Sequence, residues 1–292
     1  MPVEWLIEPF SYGFMRQALA AGILTVVMAS LVGTWVVMRG LTFMGDALAH
    51  GALPGIALAF LLGTNLIFGA VASALVMIAG VSVVSARSRL GNDVAIGLLF
   101  AGMLASGVVI ISLRGAYAGD LTAILFGDLL GVTSADIRIA LAATLTVIVV
   151  TFVGYRPFLA LTFSPAKAQV LGFRPRLTHV AMLGLITVVL VSSFRTVGTL
   201  LVFAFLVAPP ATAALVARRV PVLFFVSIVL GSTAVVLGLV ISYWATTATA
   251  ATIAGISVLG FFGVLTTVEA RAHLATRRRV TKEMRQHAHA TD

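Results

Sequence analysis

Asp46 and His50 stand four residues apart in a stretch that is otherwise apolar from Leu41 to Leu62. At about 3.6 residues per turn, that spacing puts both side chains on one face of a helix. An ionisable group at membrane depth is costly, so it faces a partner or a water-filled path rather than lipid. A carboxylate oxygen beside an imidazole nitrogen is also the beginning of a site for a divalent cation. The competing reading is a buried, hydrogen-bonded pair that fixes two helices. His50 falls about eight residues into its apolar stretch, about 12 Å from one edge of a ~30 Å hydrocarbon core and near its middle.

The rest of the chain supplies the membrane. Of 292 residues, 60% are hydrophobic and only 10% charged, with a mean hydropathy of +1.12. No water-soluble domain of this length needs so much apolar surface, so an all-α polytopic membrane protein is expected. Glu4 and Glu8 occupy the place of the basic start of a cleaved signal peptide, so none is expected. Cysteine is absent, which excludes disulfides and thiolate metal sites.

Stretches of about 20 apolar residues recur nine times, at roughly 18–38, 42–62, 66–84, 94–113, 136–154, 178–195, 197–216, 222–243 and 251–268. The pair 178–195 and 197–216 meets at Arg195 with almost no loop. Residues 1–268 therefore read as one membrane domain, and 269–292 as a polar, basic cytoplasmic tail. If the N-terminus faces out and all nine stretches cross, the inner side holds every one of the 19 Lys and Arg residues except Arg16, Arg114, Arg138 and Arg195. That is the positive-inside pattern. The net charge of +9 is then a matter of topology, and nucleic-acid binding is not expected. The tail suits solvent or lipid headgroups.

Two inner connections have the composition of contact loops: Phe163–Leu177, with Lys167, Arg174 and Arg176 among Pro and Gly breakers, and Val216–Val222. The second follows Pro209-Pro210, expected as a helix break that bends and transmits motion. The outer segment Arg114–Asp136 is too polar to span, and Leu121–Leu130 within it reads as a short surface helix. Its acids Asp120, Asp128 and Asp136 suit either cation gathering and docking or loop charges and helix caps.

The sequence Gly45-Asp46-Ala47-Leu48-Ala49-His50-Gly51-Ala52-Leu53-Pro54-Gly55 resembles the pore-helix motif of the zinc and manganese ABC uptake permeases. Further matches keep that family's order: Phe14–Leu19, Leu125-Phe126-Gly127, and Leu200-Leu201-Val202 leading to Pro209–Ala213. The similarity covers roughly residues 13–268. Ser164 departs from the acid usual before the inner loop, Pro210 from a small residue, and Ala248 and Ala250 from Pro and Gly.

The resemblance implies a type II ABC importer-like permease of the bacterial plasma membrane. It would pair with a second copy, bind two cytoplasmic ATPase subunits and receive metal from an extracytoplasmic metal-binding protein. Two copies facing across a twofold axis would offer an N2O2 set from Asp46 and His50, suited to zinc or manganese as cargo rather than as a permanent cofactor. The resemblance also favours Val216, Arg218, Arg219, Val220 and Pro221 as the ATPase-coupling segment. Independently, no Gly-x4-Gly-Lys-Ser/Thr loop is present, so no ATP hydrolysis by that route is expected of this chain. Met38 and Met44 read as packing, because thioethers suit copper(I) better than zinc or manganese. His273, His287 and His289 read as solvated tail residues. Two rivals stand beside this reading. A permease for a larger chelated ligand would need no midplane ligands, and an intramembrane enzyme would need more than one acid and one histidine.

Overall fold

The computed structural model describes residues 5, 7–87, 92–112 and 127–290, and all regular structure among them is helical. A 3-10 turn at Glu8–Ser11 leads into α1 (Gly13–Met38), followed by α2 (Thr42–Gly51), α3 (Leu53–Leu61), α4 (Leu66–Arg87) and α5 (Asn92–Ser112). After residue 127 come α6 (Ser134–Val153), α7 (Tyr155–Phe163), α8 (Pro165–Val170), α9 (Pro175–Val216), α10 (Val220–Ala245) and α11 (Thr249–Ala290). Among the described residues seven segments are long and apolar enough to cross a membrane: α1, α2 and α3 taken together, α6, two halves of α9, α10 and Thr249–Arg271. Apolar stretches in α4 (Leu66–Val81) and α5 (Ile96–Ser112) are shorter.

α1 is the centre of the bundle, with α6, α9 and α10 packed on it. Its apolar window is 72% buried, against 17% for Thr249–Arg271 at the margin. Side-chain contacts sort the turns into two ends. At one end Trp5 stacks on Trp244 and Tyr12 meets Tyr243, while Gly63, Asn65, Asp136 and Thr196 line one cavity. At the other, the fully buried Trp35 ring packs against Tyr155, Phe158 and Phe224. There Arg39 Nη1 lies 3.1 Å from His179 Nδ1. Burial pulls the Arg39 pKa down, but a guanidinium stays charged and only donates. His179 is therefore the acceptor, neutral, with its proton on Nε2.

The junction inside α9 lies beyond Arg195. Gly198 has φ 79° and ψ 160°, a non-helical conformation inside an otherwise continuous element. A positive φ is open to glycine without penalty, so the chain breaks direction there. Gly127, also at positive φ, packs so closely on Gly198 that a Cβ would meet its backbone nitrogen.

The break expected at Pro209-Pro210 is absent, since the backbone stays helical through both residues. A proline removes the N–H that would bond the carbonyl four residues earlier. For Pro210 that carbonyl belongs to Leu206, and Gly33 of α1 lies so close to it that a Cβ at position 33 would land on the oxygen. The freed carbonyl is covered by a neighbouring helix, so the helix continues.

The Thr133–Asp136 start of α6 is a capping box. The Thr133 N–H and hydroxyl donate to Asp136 Oδ2 at 3.0 and 2.6 Å, and the Asp136 N–H donates to Thr133 Oγ1 at 3.4 Å. Of the two readings of the outer acids, Asp136 thus follows the helix-cap one. Asp128 closes a turn by accepting from the Gly131 N–H at 2.9 Å. Of the short helix expected over 121–130, residues 121–126 lie outside the described residues, as do Asp120 and Leu125-Phe126, and 127–130 are non-helical. The tail is no separate loop: α11 continues helical to Ala290, 42 residues in all. At about 1.5 Å per residue it is roughly twice the length of a ~30 Å core.

Candidate metal site

α2 is held from behind by its small and apolar residues. Met44, Gly45, Ala47, Leu48, Ala49 and Gly51 are buried. Gly45 and Gly51 leave room for Leu206 and Met77. Burial of Met44 at 3% exposure bears out its reading as packing, and Met38 is packed at the edge of the same core. With that side fixed, the opposite side of the turn carries Asp46 and His50. Both emerge partly exposed, at 27% and 24%, beside Phe43 at 44%, while the other residues from Met44 to Gly51 are buried.

Asp46 Oδ1 and His50 Nε2 are 3.5 Å apart. That is long for a hydrogen bond, and it is a spacing that an ion bound by both atoms could bridge. His50 Nδ1 is buried and has no hydrogen-bond partner among the described residues. The His50 ring meets Phe100 of α5 edge-on at a centroid distance of 5.6 Å, and Phe43 closes the other side of Phe100 at 6.3 Å. The pair therefore sits on an aromatic-walled ledge, and among the described residues it lacks the hydrogen bonds that would mark a purely structural Asp–His contact. Among the described residues no group of three or more His, Asp or Glu gathers. Asp46 and His50 are thus a pair rather than part of a larger cluster among the described residues.

Two features of the ledge escape sequence reasoning. Ser73 of α4 donates to the Gly51 carbonyl at 2.7 Å, directly behind His50. Gly55 of α3 and Gly69 of α4 also approach so closely that a Cβ on either would land on the other's carbonyl. Small residues at this crossing let two backbones touch, fixing the end of α2. Neither partner is recognisable along the chain, because each contact joins residues with no helical spacing between them.

The sites named on other grounds are dispersed. Pro209 and Pro210 are buried in α9 beside α1 and α10, away from solvent. Val216 ends α9, and Ala217 to Arg219 form a non-helical link, extended at Ala217 and Arg219, with Arg218 and Arg219 exposed. Val220 and Pro221 begin α10, with Val220 buried. The helix that stands between crossing elements at that end is α8, flanked by Phe163, Val170 and Leu171 at 72%, 89% and 64% exposure.

A family model described as "ABC 3 transport family" matches residues 11–268. The chain belongs to that family. It is a metal ABC transporter permease, as the Asp46/His50 motif implied, and a multi-pass protein of the bacterial plasma membrane. It is 33% identical over 251 residues to the manganese transport system membrane protein MntC of Listeria innocua, covering 86% of this chain and 89% of that one. It is 35% identical over 243 residues to the manganese import system permease protein ScaB of Streptococcus parasanguinis, covering 83% and 86%. It is also 34% identical over 254 residues to the chelated iron transport system membrane protein YfeD of Yersinia pestis, covering 87% and 85%. Among solved structures, PsaBC from Streptococcus pneumoniae in complex with Fab aligns with a TM-score of 0.82 and 31% identity, over 90% of this chain and 95% of that one. An inward-facing metal-chelate type ABC transporter shares the fold at a TM-score of 0.67 and 15% identity, over 88% and 85%.

Proposed function

We propose that this chain is the membrane subunit of an ATP-driven importer for a divalent transition metal, manganese before zinc. The ion would pass Asp46 and His50 near the membrane midplane. The observation that carries this reading is the partly exposed Asp46/His50 pair on a helix whose other residues from Met44 to Gly51 are buried. An unshielded carboxylate and imidazole facing acyl chains would be expensive, so the ledge calls for a second permease copy opposite it. Carboxylate and imidazole suit manganese and zinc alike, and relatives named for manganese tilt the balance. The long Asp46–His50 spacing fits an ion that must be released as readily as it binds. The unpartnered His50 Nδ1 would need a donor or acceptor to fix the tautomer, which water or the second copy could provide.

In this reading nine segments cross, α4 and α5 among them, with the N-terminus outside. The alternation of turns between the two ends of the bundle supports it. Two ATPase subunits would dock at the end carrying Trp35 and Arg39. α8, with its exposed apolar flanks, is better built for that contact than the non-helical Ala217–Arg219 link, which leaves Arg218 and Arg219 as secondary contacts. Movement of α8 would reach α1 and α10 through Tyr155 and Phe158 against Trp35. An extracytoplasmic binding protein would deliver metal at the opposite end.

A permease for a larger chelate is the second reading, favoured by the relative named for chelated iron. The test is uptake of radioactive manganese and zinc by proteoliposomes that hold the permease, its ATPase and the binding protein. Asp46→Ala and His50→Ala should each abolish uptake while the complex still assembles. Wild-type uptake in both variants would remove the metal-path assignment, and retained uptake of an iron chelate alone would favour the second reading. Replacing Val170 and Leu171 by Asp should release the ATPase on co-purification, and Arg218→Glu should weaken it less.

A further inference from the structure

Two turns at the Trp35 end of the bundle are built alike. α1 closes with Arg39 as its C-cap and Gly40 at φ 64°. The Gly40 N–H donates to the Val37 carbonyl at 3.1 Å, and the Leu41 N–H to the Val36 carbonyl at 2.9 Å. α8 closes with Leu171 as its C-cap and Gly172 at φ 81°. There the Gly172 N–H donates to the Gln169 carbonyl at 2.9 Å, and the Phe173 N–H to the Ala168 carbonyl at 3.0 Å. Each is the doubly bonded glycine turn that satisfies the last carbonyls of a helix, and it leaves the chain little slack. The first turn leads into α2, which carries Asp46 and His50, and the second joins α8 to α9.

The Arg39 side chain connects the two turns. Its Nη1 lies 3.1 Å from Nδ1 of His179, near the start of α9, and donates to Met182 Sδ at 3.9 Å. A basic residue suits a helix C-terminus by itself, but nothing in that role turns the guanidinium away from solvent onto another helix. No carboxylate pairs with Arg39 among the described residues. The helix on the other flank of α8 reaches the same place, since Tyr155 and Phe158 of α7 press on Trp35. Both neighbours of α8 therefore grip the end of α1 just before α2 begins. α2 itself packs mainly on α5 and α9 and takes little hold from α1.

We propose that the Arg39–His179 hydrogen bond is a positioning tie through which α8 sets the place of α2, and with it Asp46 and His50. The proposal rests on the importer reading above, in which α8 meets the ATPase. When the ATPase shifts α8, the Gly172 turn carries the shift to His179 and Arg39 follows. The Gly40 turn then moves the start of α2 relative to α5, and the ledge opens or closes around the ion. Both residues act through α2 and not on the ion. The choice of imidazole fits that task. An acid in place of His179 would grip Arg39 harder, but it would also set a cation-binding carboxylate at the end of the bundle toward which the ion leaves. A neutral imidazole holds the guanidinium without one.

The test uses the complex of permease, ATPase and binding protein in proteoliposomes and reads manganese imported per ATP hydrolysed. His179→Leu removes the acceptor, and Arg39→Met removes the donor while keeping much of the side chain's length. Each should lower the ratio about tenfold, the worth of one hydrogen bond to a charged group, with ATP hydrolysis near wild type. His179→Asn, which keeps an acceptor near the place of Nδ1, should restore the ratio. The double variant should be no worse than either single one, because both remove the same bond. A wild-type ratio in both single variants would overturn the proposal. So would uptake and hydrolysis falling together at constant ratio, the mark of a bond that only stabilises the fold. If one single variant does not assemble, the other decides. Failure of the importer reading looks different, since it shows as wild-type uptake in Asp46→Ala. A wild-type ratio in His179→Leu beside an inactive Asp46→Ala removes the tie alone.

Discussion

Proline lies inside two membrane spans of this protein, in different surroundings. Beside the candidate metal site α2 ends at Gly51 and α3 begins at Leu53 with Pro54 in its first turn, while Ala52 between them keeps helical backbone, donating to Leu48 and accepting from Ile56. In α9 the helix runs on through Pro209 and Pro210. The chemistry is the same in both places, since each proline leaves a carbonyl one turn earlier without its usual donor. The neighbours differ. Near Pro54 the freed carbonyl is that of His50; the next one along, Gly51, accepts from the Ser73 hydroxyl of another helix, and Gly55 and Gly69 press two backbones together. Near Pro210, Gly33 of α1 closes over the Leu206 carbonyl from the side and leaves the helical path undisturbed. A proline therefore frees one carbonyl of a membrane helix, and the neighbouring helix decides what lies over it.

The largest effect is expected from crowding the α3–α4 crossing. Gly55→Val would drive its Cβ onto the Gly69 carbonyl, a backbone atom that cannot rotate away. Overpacking of this kind typically costs about 1–3 kcal/mol and more where backbone must move. Thermal unfolding in detergent should show a large loss of stability and uptake should fall with it; an unchanged melting temperature would mean the two helices are not in contact.

Gly33→Ala probes the other proline. The new methyl group would meet the Leu206 carbonyl and the Pro210 ring, and a loss of about 1–3 kcal/mol is expected. Pro210→Ala should recover part of it, because the restored N–H gives Leu206 a partner inside α9 and the ring no longer obstructs. The double-mutant cycle isolates the coupling between the two positions. Additive losses would show that Gly33 does not stand in for the missing hydrogen bond.

The same contrast explains what could be read from the chain alone. The Asp46/His50 pair is legible because its logic is local: two ionisable groups at helical spacing in apolar surroundings. The α1, α6 and α10 spans are legible for a similar reason, as length and hydropathy suffice. The outcome at Pro209-Pro210 is not, because it depends on Gly33, which belongs to another helix. Gly198 hides among glycines that serve packing, and only its positive φ reveals a break in direction. α8 is short and amphipathic, lacking the apolar length that marks a span, so the Phe163–Leu177 loop shows its charges but not its helix. The capping box at Thr133 and Asp136, by contrast, follows from spacing and could have been assigned from sequence.

Ser73→Ala is the smallest and most specific test of the comparison. The Ser73 hydroxyl is buried and its bond to the Gly51 carbonyl is short, at 2.7 Å. Its removal leaves one buried carbonyl without that donor, a loss of about 1 kcal/mol. The fold tolerates that, but the end of α2 carrying His50 is freed to straighten toward α3. The expected result is a melting temperature lowered by a few degrees, together with a raised KM for metal and a maximal uptake rate near wild type. Ser73→Thr, which keeps the hydroxyl, should restore KM. If Ser73→Ala lowers stability and leaves KM untouched, the bond serves packing alone, and the helix turn beside His50 owes its position to Pro54 and the glycine contact.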